Sequence, residues 1–402
     1  RSWPISIAAP RPPPTPETTM PSRYRFRTAR GLRVLANAWL LQSLLLAASV
    51  SVYDKKHPDR AIPRSNGAWT GSHPADSHPA VPRGLVTELV QTYNWPTLAT
   101  SPACMPRLEA LHAVGDLKSY AWAEIQGGCD GKNCTQPFTM LVHASDDRVS
   151  SSVLAHGKWE ADHLEAAEQH HKKRGKTLPK DRWSGKRYLD VGGNLGYFTM
   201  LAASKGYEVT TIEAMTQNAR MLNMTLCANP MLAHRVDLFN VGVSEKPGKC
   251  LIVSGNDNKA DGILRCDLAE PSQFKQEGYS VRGVVEIKTL DSMLKGDYFM
   301  LKMDIEGHEP MAYRGARRYF EKHEIEYIVT EAHPTDGRPE FFQQLQTLGK
   351  RGYSLRVVDY SKPAGRAIVE SGTAIDASNR AQMLESSNWP MVDVFCESKS
   401  NE

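Results

Sequence analysis

The pattern of apolar and polar positions becomes regular from Lys186 onward, where short apolar segments alternate with amphipathic segments. The predicted strands there are 187–191, 207–213, 236–243, 251–254, 284–290, 298–305, 326–332, 353–360 and 391–397. The predicted helices include 197–204, 310–320 and 339–350. Strands that alternate with helices indicate a doubly wound sheet covered by helices on both faces. We therefore predict an α/β domain with a Rossmann-like, mostly parallel, seven-stranded sheet.

The rest of the chain lacks this regularity and divides by composition. Pro/Thr-rich and then arginine-rich residues come first, and a segment rich in His, Pro, Ser and Gly precedes a short helical pattern around 85–93. We expect a disordered basic N-terminus (1–33), an apolar segment (34–53), a linker (54–85), an N-terminal extension (86–136) and the α/β domain (137–402, core 186–360).

The apolar segment has the length and flanks of a membrane-targeting signal. Residues 34–53 are 20 residues without a charge, about what a helix needs to cross a bilayer, and arginines precede them. This pattern is typical of a signal anchor or a cleaved signal peptide. We expect a membrane location in the secretory pathway, with the domain on the lumen side of the endoplasmic reticulum or Golgi. An organelle transit peptide is the alternative, and Met20, rather than Arg1, is the expected start.

The basic charge of the chain belongs to its N-terminus. The first 53 residues hold seven arginines and one glutamate, a charge of +6, whereas the whole chain has +4, which leaves −2 for the remainder. A nucleic-acid-binding domain needs a basic face of its own. We therefore expect no nucleic-acid partner.

Cysteines in the N-terminal extension indicate disulfide bonds. Cys129 and Cys134 flank a turn, GGCDGKNC. In an oxidising compartment they could pair with each other or with Cys104. No CxxC pair is present, which disfavours a structural zinc site.

A glycine-rich loop, VGGNLG, follows the first strand of the α/β domain, and the second strand ends on an acid, Glu213, 21 positions after Gly192. In a doubly wound sheet a nucleoside binds at the carboxyl ends of such strands, where glycines allow close approach and an acid binds the ribose hydroxyls. The acid before the loop suits a cationic ligand such as S-adenosylmethionine and would repel the pyrophosphate of NAD. The candidate cofactor-binding residues are Asp190, Gly192, Gly193, Asn194, Gly196 and Glu213.

The sequence also resembles a known family. The runs YLDVGGNLGYFTMLAA, TTIEAMTQNARMLNMTL, NVGVSEKPG, TLDSML, LKMDIEGHEPMAYRGA and IVTEAHP, in this order, are similar to the FkbM family of methyltransferases. The resemblance extends from about 138, where FTMLVHASDDRVSSSVLAHGKWE looks like the family's lead-in strands, to about 360. Two positions depart from the family pattern, Gly193 in place of alanine and Ala214 in place of proline.

This resemblance implies a class I fold, S-adenosylmethionine as the cofactor, and methyl transfer, usually to oxygen. Acceptors in the family include sugars and natural-product hydroxyls, so we expect a glycan or small-molecule acceptor. A catalytically inactive, membrane-tethered binding protein of the same fold is the alternative. An NAD-dependent reductase is a third hypothesis, and the glycine loop disfavours it.

The predicted catalytic residues are in the DIEGHE segment, namely Asp304, Glu306 and His308. His308 is the natural base because the ordinary pKa of histidine is near 6.5, although it could instead cap the next helix. Asp304 and Glu306 could bind acceptor hydroxyls or a divalent cation, or be structural; we assign no metal.

Two other groups of polar residues could belong to the site. Glu331 and His333 are at the end of the next strand and could also line the acceptor side. Asp257 and Asp261 lie in a polar segment that could touch the adenine or cover the site, although a plain loop is the simpler interpretation.

Overall fold

The structure is a computed structural model that describes residues 104–130, 133–160, 163–174, 186–332, 339–357 and 392–398. All of them belong to one compact unit, Ser77–Glu402. The predicted N-terminus, apolar segment, linker and the helical pattern around 85–93 lie outside the described residues, as does His333. Among the described residues, no helix has the length and apolar character needed to cross a membrane.

The described strands are β1 (Tyr120–Ile125), β2 (Cys129–Asp130), β3 (Asn133–Cys134), β4 (Phe138–His143), β5 (Arg187–Val191), β6 (Glu208–Ile212), β7 (Val236–Phe239), β8 (Gly242–Val243), β9 (Gly248–Gly255), β10 (Ile263–Arg265), β11 (Tyr279–Lys288), β12 (Tyr298–Met303), β13 (Ile325–Ala332), β14 (Tyr353–Val357) and β15 (Val392–Ser398). The described α-helices are α1 (Met105–His112), α2 (Arg148–His156), α3 (His163–Lys173), α4 (Tyr197–Ser204), α5 (Thr216–Ala228), α6 (Pro230–Ala233), α7 (Leu290–Met293), α8 (Glu309–Arg314), α9 (Arg317–Lys322) and α10 (Pro339–Lys350).

Seven strands form the central sheet, in the order β14-β15-β13-β12-β5-β6-β7. Neighbours from β13 to β7 are parallel, and β15 is antiparallel to both β13 and β14. The chain moves outward from β5 through β6 to β7 and later returns to the other side of β5 as β12. The carboxyl ends of β5 and β12 are therefore the switch point, where ligands of such sheets bind. The predicted doubly wound, seven-stranded sheet is confirmed.

The two faces of this sheet carry separate cores because successive strand residues point to opposite sides. On β5, Tyr188 packs with one cluster and Leu189 with the other, and both are buried. The Tyr188 cluster includes residues of α1, α4 and α5, whereas the Leu189 cluster includes residues of α8, α9 and α10. Helices on both faces thus shield the sheet from solvent.

A second sheet, β10-β9-β11-β8, follows the third strand of the central sheet. The prediction of one strand over 236–243 is therefore wrong, because its two halves, β7 and β8, belong to different sheets. The chain turns at Asn240, whose side-chain Nδ2 donates to the carbonyl oxygens of Glu213 and Ala214. The predicted strands 251–254 and 284–290 form the longer β9 and β11 of this second sheet.

Two disulfide bonds join segments of the described chain. Cys104 pairs with Cys227 and joins the N-cap of α1 to α5, so the predicted pairing of Cys104 with Cys129 or Cys134 is wrong. Cys129 and Cys134 are opposite each other in the β2–β3 ladder. Cys250 pairs with Cys266 and ties β9 to the segment after β10.

Two other predicted elements differ from the structure. Of the predicted lead-in strands, only β4 is a strand. The residues after it form the helix α2, which Asp147 caps by accepting from the Ser150 backbone N–H at 2.7 Å. The predicted helix 310–320 is broken into α8 and α9 near Gly315. A Cβ at Gly315 would lie 2.1 Å from the Ser244 carbonyl oxygen, so the backbone approaches closely at the break.

Candidate functional site

A cavity of about 350 Å³ opens at the carboxyl ends of β5 and β12. Residues at or just after the carboxyl ends of β5, β6, β12 and β13 line it, together with the loop between β9 and β10. Of the sequence-predicted site residues, the structure brings Gly192, Gly193, Asn194, Glu213, Asp304 and Glu306 to this cavity, along with Glu331 and Asp261. Asp190, Gly196 and His308 are not part of its lining.

The glycine loop is shaped by backbone conformations and close contacts. Gly192 has a φ of 87°, and a Cβ on it would lie 1.7 Å from the Asp304 carbonyl oxygen. A Cβ on Gly196, where φ is 94°, would lie 2.2 Å from Leu222 Cδ1. Only glycine fits both positions without displacement of a neighbour. Gly196 therefore serves the packing of the loop onto α5 and does not face the cavity.

Glu213 joins the ends of the first two strands. One carboxylate oxygen accepts the Asn194 backbone N–H at 2.7 Å, and the other accepts the Met215 N–H at 2.7 Å. Burial raises the pKa of Glu213 to about 8, against the opposing effect of these hydrogen bonds. The acid is thus held rigidly beside the cavity, where a cationic ligand would favour its ionised form.

Asp190 lies beneath the loop instead of in the cavity. Its Oδ2 accepts from the Thr199 hydroxyl at 2.6 Å, and its residue is 1% exposed. Burial raises the pKa of Asp190 to about 6, although the charge of Lys302 opposes the shift. Lys302 is its register partner on β12. The acid before the loop therefore supports the loop from behind.

Lys302 is a cavity residue that the sequence analysis missed. It is 5% exposed, its Nζ lies 2.9 Å from Asp304 Oδ2, and it lies over the Phe198 ring at 5.1 Å. Burial lowers its pKa, but the charges of Asp304, Asp190 and Glu160 outweigh burial and raise the pKa well above the ordinary value. Lys302 is thus a fixed positive charge. A lysine inside an otherwise apolar strand, YFMLKM, was the signal that could have found it.

Four carboxylates line the end of the cavity beyond Lys302, and we call them the acidic cluster: Glu160, Asp304, Glu306 and Glu331. Burial, then the hydrogen bond with Asp261 and neighbouring carboxylates, raise the pKa of Glu306 to about 11. Glu160 is an exposed residue, but desolvation of its carboxyl group at the cavity raises its pKa to about 7, with Lys302 opposing and Asp304 and Glu331 adding to the shift. Glu306 is therefore protonated at neutral pH, whereas Glu160 can gain or lose a proton there. The sequence offered no signal for Glu160, which precedes the core of the domain.

The structure does not bring His308 together with Asp304 and Glu306. Glu306 and Gly307 both have positive φ, 56° and 88°, and this turn directs the following residue away from the cavity. His308 Nε2 lies 3.0 Å from Ser244 Oγ. His308 occupies the N-cap of α8, but its side chain makes no capping hydrogen bond.

The loop between β9 and β10 covers the cofactor side of the cavity. The carbonyl oxygen of Ala260 accepts from the Nδ2 groups of Asn194, at 3.0 Å, and Asn218, at 2.8 Å. In the same loop Asn258 donates to Asp261 at 3.0 Å, and both residues line the cavity. Asp261 therefore belongs to the site. This was one of the two interpretations that the sequence allowed for it.

The fold is that of the class I methyltransferases. The glycine loop, the acid that ends β6 and the covered cavity at the switch point are its elements. A comparison with protein families matches residues 190–355 to the methyltransferase FkbM domain. The predicted resemblance to the FkbM family is therefore confirmed for this part of the chain.

Solved structures of methyltransferases are also similar. Methyltransferase FkbM from Methylobacillus flagellatus KT is 20% identical, with a TM-score of 0.31 over 43% of this chain and 40% of that chain. Precorrin-6y C5,15-methyltransferase from Geobacter metallireducens GS-15 is 11% identical, with a TM-score of 0.27 over 53% of this chain and 80% of that chain. This chain thus spans less than half of the Methylobacillus protein. No curated protein matches the sequence.

Proposed function

We propose that the chain transfers a methyl group from S-adenosylmethionine to a hydroxyl oxygen of a glycan or small molecule. The observation that carries the proposal is one cavity with two sets of lining residues. The glycine loop and Glu213 are the first set, and the acidic cluster is the second. A methyl donor bound by the first set would point its reactive carbon toward the second, across the switch point.

The cofactor end has features that suit S-adenosylmethionine. Glu213, buried and fixed by two backbone N–H groups, is placed to accept hydrogen bonds from ribose hydroxyls. Gly192 and Gly193 expose backbone at the cavity wall, where a nucleoside can approach closely. The carboxylates that line the cavity favour a sulfonium over a pyrophosphate, which supports this cofactor over NAD.

The cofactor supplies an electrophilic methyl carbon on a positively charged sulfur. The acceptor oxygen forms a bond to that carbon as the carbon–sulfur bond breaks, and the sulfur keeps the electron pair. The chain must align the acceptor for this in-line attack and accept its hydroxyl proton. Glu160 fits the second task, because it lines the cavity and its pKa of about 7 matches the pH of the cell. Asp304 and protonated Glu306 fit the task of alignment, because both can form hydrogen bonds with the acceptor.

The alternative, a catalytically inactive binding protein of the same fold, finds less support. Gly192, Asn194 and Glu213 keep the geometry that a cofactor site needs. A protein that no longer binds the cofactor has no use for a strained loop of this kind.

We also propose that the domain works on the lumen side of a secretory membrane, attached through residues 34–53. The disulfides Cys104–Cys227 and Cys250–Cys266 support an oxidising compartment. Alkaline extraction of the full chain from cell membranes tests the attachment. Recovery in the soluble fraction, without cleavage of the N-terminus, would contradict it.

Calorimetry with the full chain tests cofactor choice, with S-adenosylmethionine in one titration and NAD in the other. We expect heat of binding only from the first, and the reverse result would refute the proposal. Labelled cofactor, incubated with a panel of glycans, lipids and small hydroxyl compounds, then identifies the acceptor. Cofactor binding without transfer to any of them would favour the inactive alternative.

A further inference from the structure

Three carboxylates from three different elements meet beside the acceptor end of the cavity. Asp304 follows β12, Glu309 begins α8, and Glu331 is near the end of β13. One oxygen from each lies within 4.8 Å of the others. Asp304 and Glu331 line the cavity, whereas Glu309 is fully buried and is not part of the lining. The group is therefore open on one side and closed by protein on the other.

Glu309 is the residue whose position needs an explanation. It is 0% exposed, and its Oε1 accepts from the Ile305 backbone N–H at 2.8 Å. Its Oε2 is buried and has no hydrogen-bond partner among the described residues. A buried carboxylate oxygen without a partner is costly, and a second negative charge nearby increases the cost. A positively charged ligand among the three carboxylates would remove both penalties.

Lys302 supplies part of the positive charge that the three carboxylates need, but it does not balance all of them. Its Nζ contacts Asp304 Oδ2, which leaves the second oxygen of that carboxylate for another ligand. Lys302 also belongs to the same strand that carries Asp304 into the cavity, so the two are held together. One ammonium beside three carboxylates leaves room for a doubly charged ion.

We propose that Asp304, Glu309 and Glu331 bind a divalent metal ion of the Mg²⁺ or Mn²⁺ type. Such ions prefer carboxylate oxygens and keep several positions for water or substrate. Ligand oxygens around them lie about 3–4 Å apart, so small side-chain movements close the observed group around an ion. Glu309 Oε2 becomes the anchoring ligand, and the positions that face the cavity stay open.

The role of the ion, unlike its binding, rests on the proposed methyl transfer. An acceptor hydroxyl bound at an open position would lose its proton more easily, because a metal ion stabilises the resulting oxyanion. Two adjacent hydroxyls could occupy two open positions at once and so fix the direction of attack. The site therefore favours acceptors with neighbouring oxygens, such as a sugar diol.

Electron paramagnetic resonance of Mn²⁺ tests the binding. The full chain is treated with chelator, dialysed and titrated with MnCl₂ alone, without cofactor. We expect one bound Mn²⁺ per chain with a dissociation constant below about 1 mM, within the range of carboxylate sites. Glu309→Gln and Glu331→Gln should each weaken Mn²⁺ binding at least tenfold.

Two further variants separate ligation from general charge effects. Glu306→Gln removes a neighbouring acid that is not among the three, and Glu277→Gln changes an exposed acid elsewhere. We expect changes in Mn²⁺ affinity below threefold for both. Thermal unfolding of Glu309→Gln without metal checks its fold, and Mn²⁺ should raise the melting temperature of this variant less than that of the unaltered chain and of the two control variants.

Absence of bound Mn²⁺ in the unaltered chain would overturn the proposal, as would equal Mn²⁺ affinity in all five proteins. Calorimetry with S-adenosylmethionine on the same samples keeps the two proposals distinct. Cofactor binding without Mn²⁺ binding rejects the metal site and leaves methyl transfer intact. Weaker cofactor binding in Glu309→Gln, with no Mn²⁺ bound, would instead assign the three carboxylates to the sulfonium.

Discussion

The α-carbon of Gly192 lies so close to Asp304 that a Cβ on the glycine would be 1.7 Å from the aspartate's carbonyl oxygen. The cofactor loop after β5 and the acceptor segment after β12 are therefore in direct backbone contact. A change in one must move the other, which couples the two ends of the cavity.

Gly192→Ala should therefore lower both stability and cofactor affinity. The alanine would meet a positive φ of 87° and the Asp304 backbone, whereas Gly206→Ala meets the same φ with no atom within 4 Å. We expect about 1–2 kcal/mol of destabilisation for Gly206→Ala, from φ alone, and clearly more for Gly192→Ala. Urea unfolding and calorimetry with S-adenosylmethionine measure the two effects. Equal losses in the two variants would show that the contact with Asp304 is unimportant.

Glu213→Ala should weaken S-adenosylmethionine binding by about 1.5–3 kcal/mol, the scale of hydrogen bonds to a charged group. The loss includes the ribose contacts. It also includes the hydrogen bond from the Asn194 N–H to this carboxylate, which holds the glycine loop in place. Glu208→Ala, at the other end of β6 and in an exposed pair with Arg235, is the matched control. An unchanged affinity in Glu213→Ala, by calorimetry, would remove this acid from the site.

The fold could be predicted from the sequence where periodicity alone decides the structure. The bounds of α4, α10 and β5 are those predicted, because apolar spacing and the flanking glycines mark them. The boundary between β7 and β8 could not be predicted in this way. Both halves are apolar, and the break depends on hydrogen bonds from Asn240 to residues that are distant in sequence.

The same distinction applies to the site. The glycine loop and Glu213 follow directly from strand ends, where a parallel sheet gathers its ligands. His308 was predicted from its position in the DIEGHE segment, but two consecutive positive φ values turn it toward Ser244, and no sequence pattern reveals such a turn at Glu306. Glu160 reaches the cavity through tertiary packing alone.

Glu213 should contribute less to the stability of the cofactor-free chain as the pH rises. Burial raises the pKa of Glu213 from the ordinary 4.5 to about 8, so the folded state holds a proton that the unfolded state has lost. Between these values folding takes up a proton, and the free energy of unfolding decreases with rising pH by up to about 1.4 kcal/mol per unit for one such group. The effect is absent below pH 4.5 and complete above pH 8.

Urea unfolding between pH 5.5 and 8.5, in chelator and with disulfides intact, measures this slope. Glu213→Gln cannot ionise and should show a smaller decrease than the unaltered chain, whereas Glu208→Gln should show the full one. Parallel slopes for all three proteins would mean that Glu213 is ionised in the folded state throughout.

Glu160→Gln should lower the turnover number by about 100-fold to 10,000-fold, the usual cost of losing a general base. Its cofactor affinity should stay nearly unchanged, because the proposed cofactor contacts are with the glycine loop and Glu213. In the unaltered enzyme, the rate should fall below about pH 7 as Glu160 takes up a proton, and the glutamine variant should lose this dependence. Radiometric transfer from labelled S-adenosylmethionine gives the rates.

The activity of His308→Ala, compared with that of Glu160→Gln, decides which of the two residues is the general base. The histidine was predicted from sequence to accept the acceptor's proton, yet its Nε2 is 3.0 Å from Ser244 Oγ and it does not line the cavity. We therefore expect a reduction of less than about tenfold, below the range for loss of a general base. Ser244→Ala, which removes the contact but keeps the imidazole, controls for packing at this position. If His308→Ala is inactive while Glu160→Gln is not, His308 must move into the cavity when cofactor and acceptor bind, and the assignment of the base returns to the histidine.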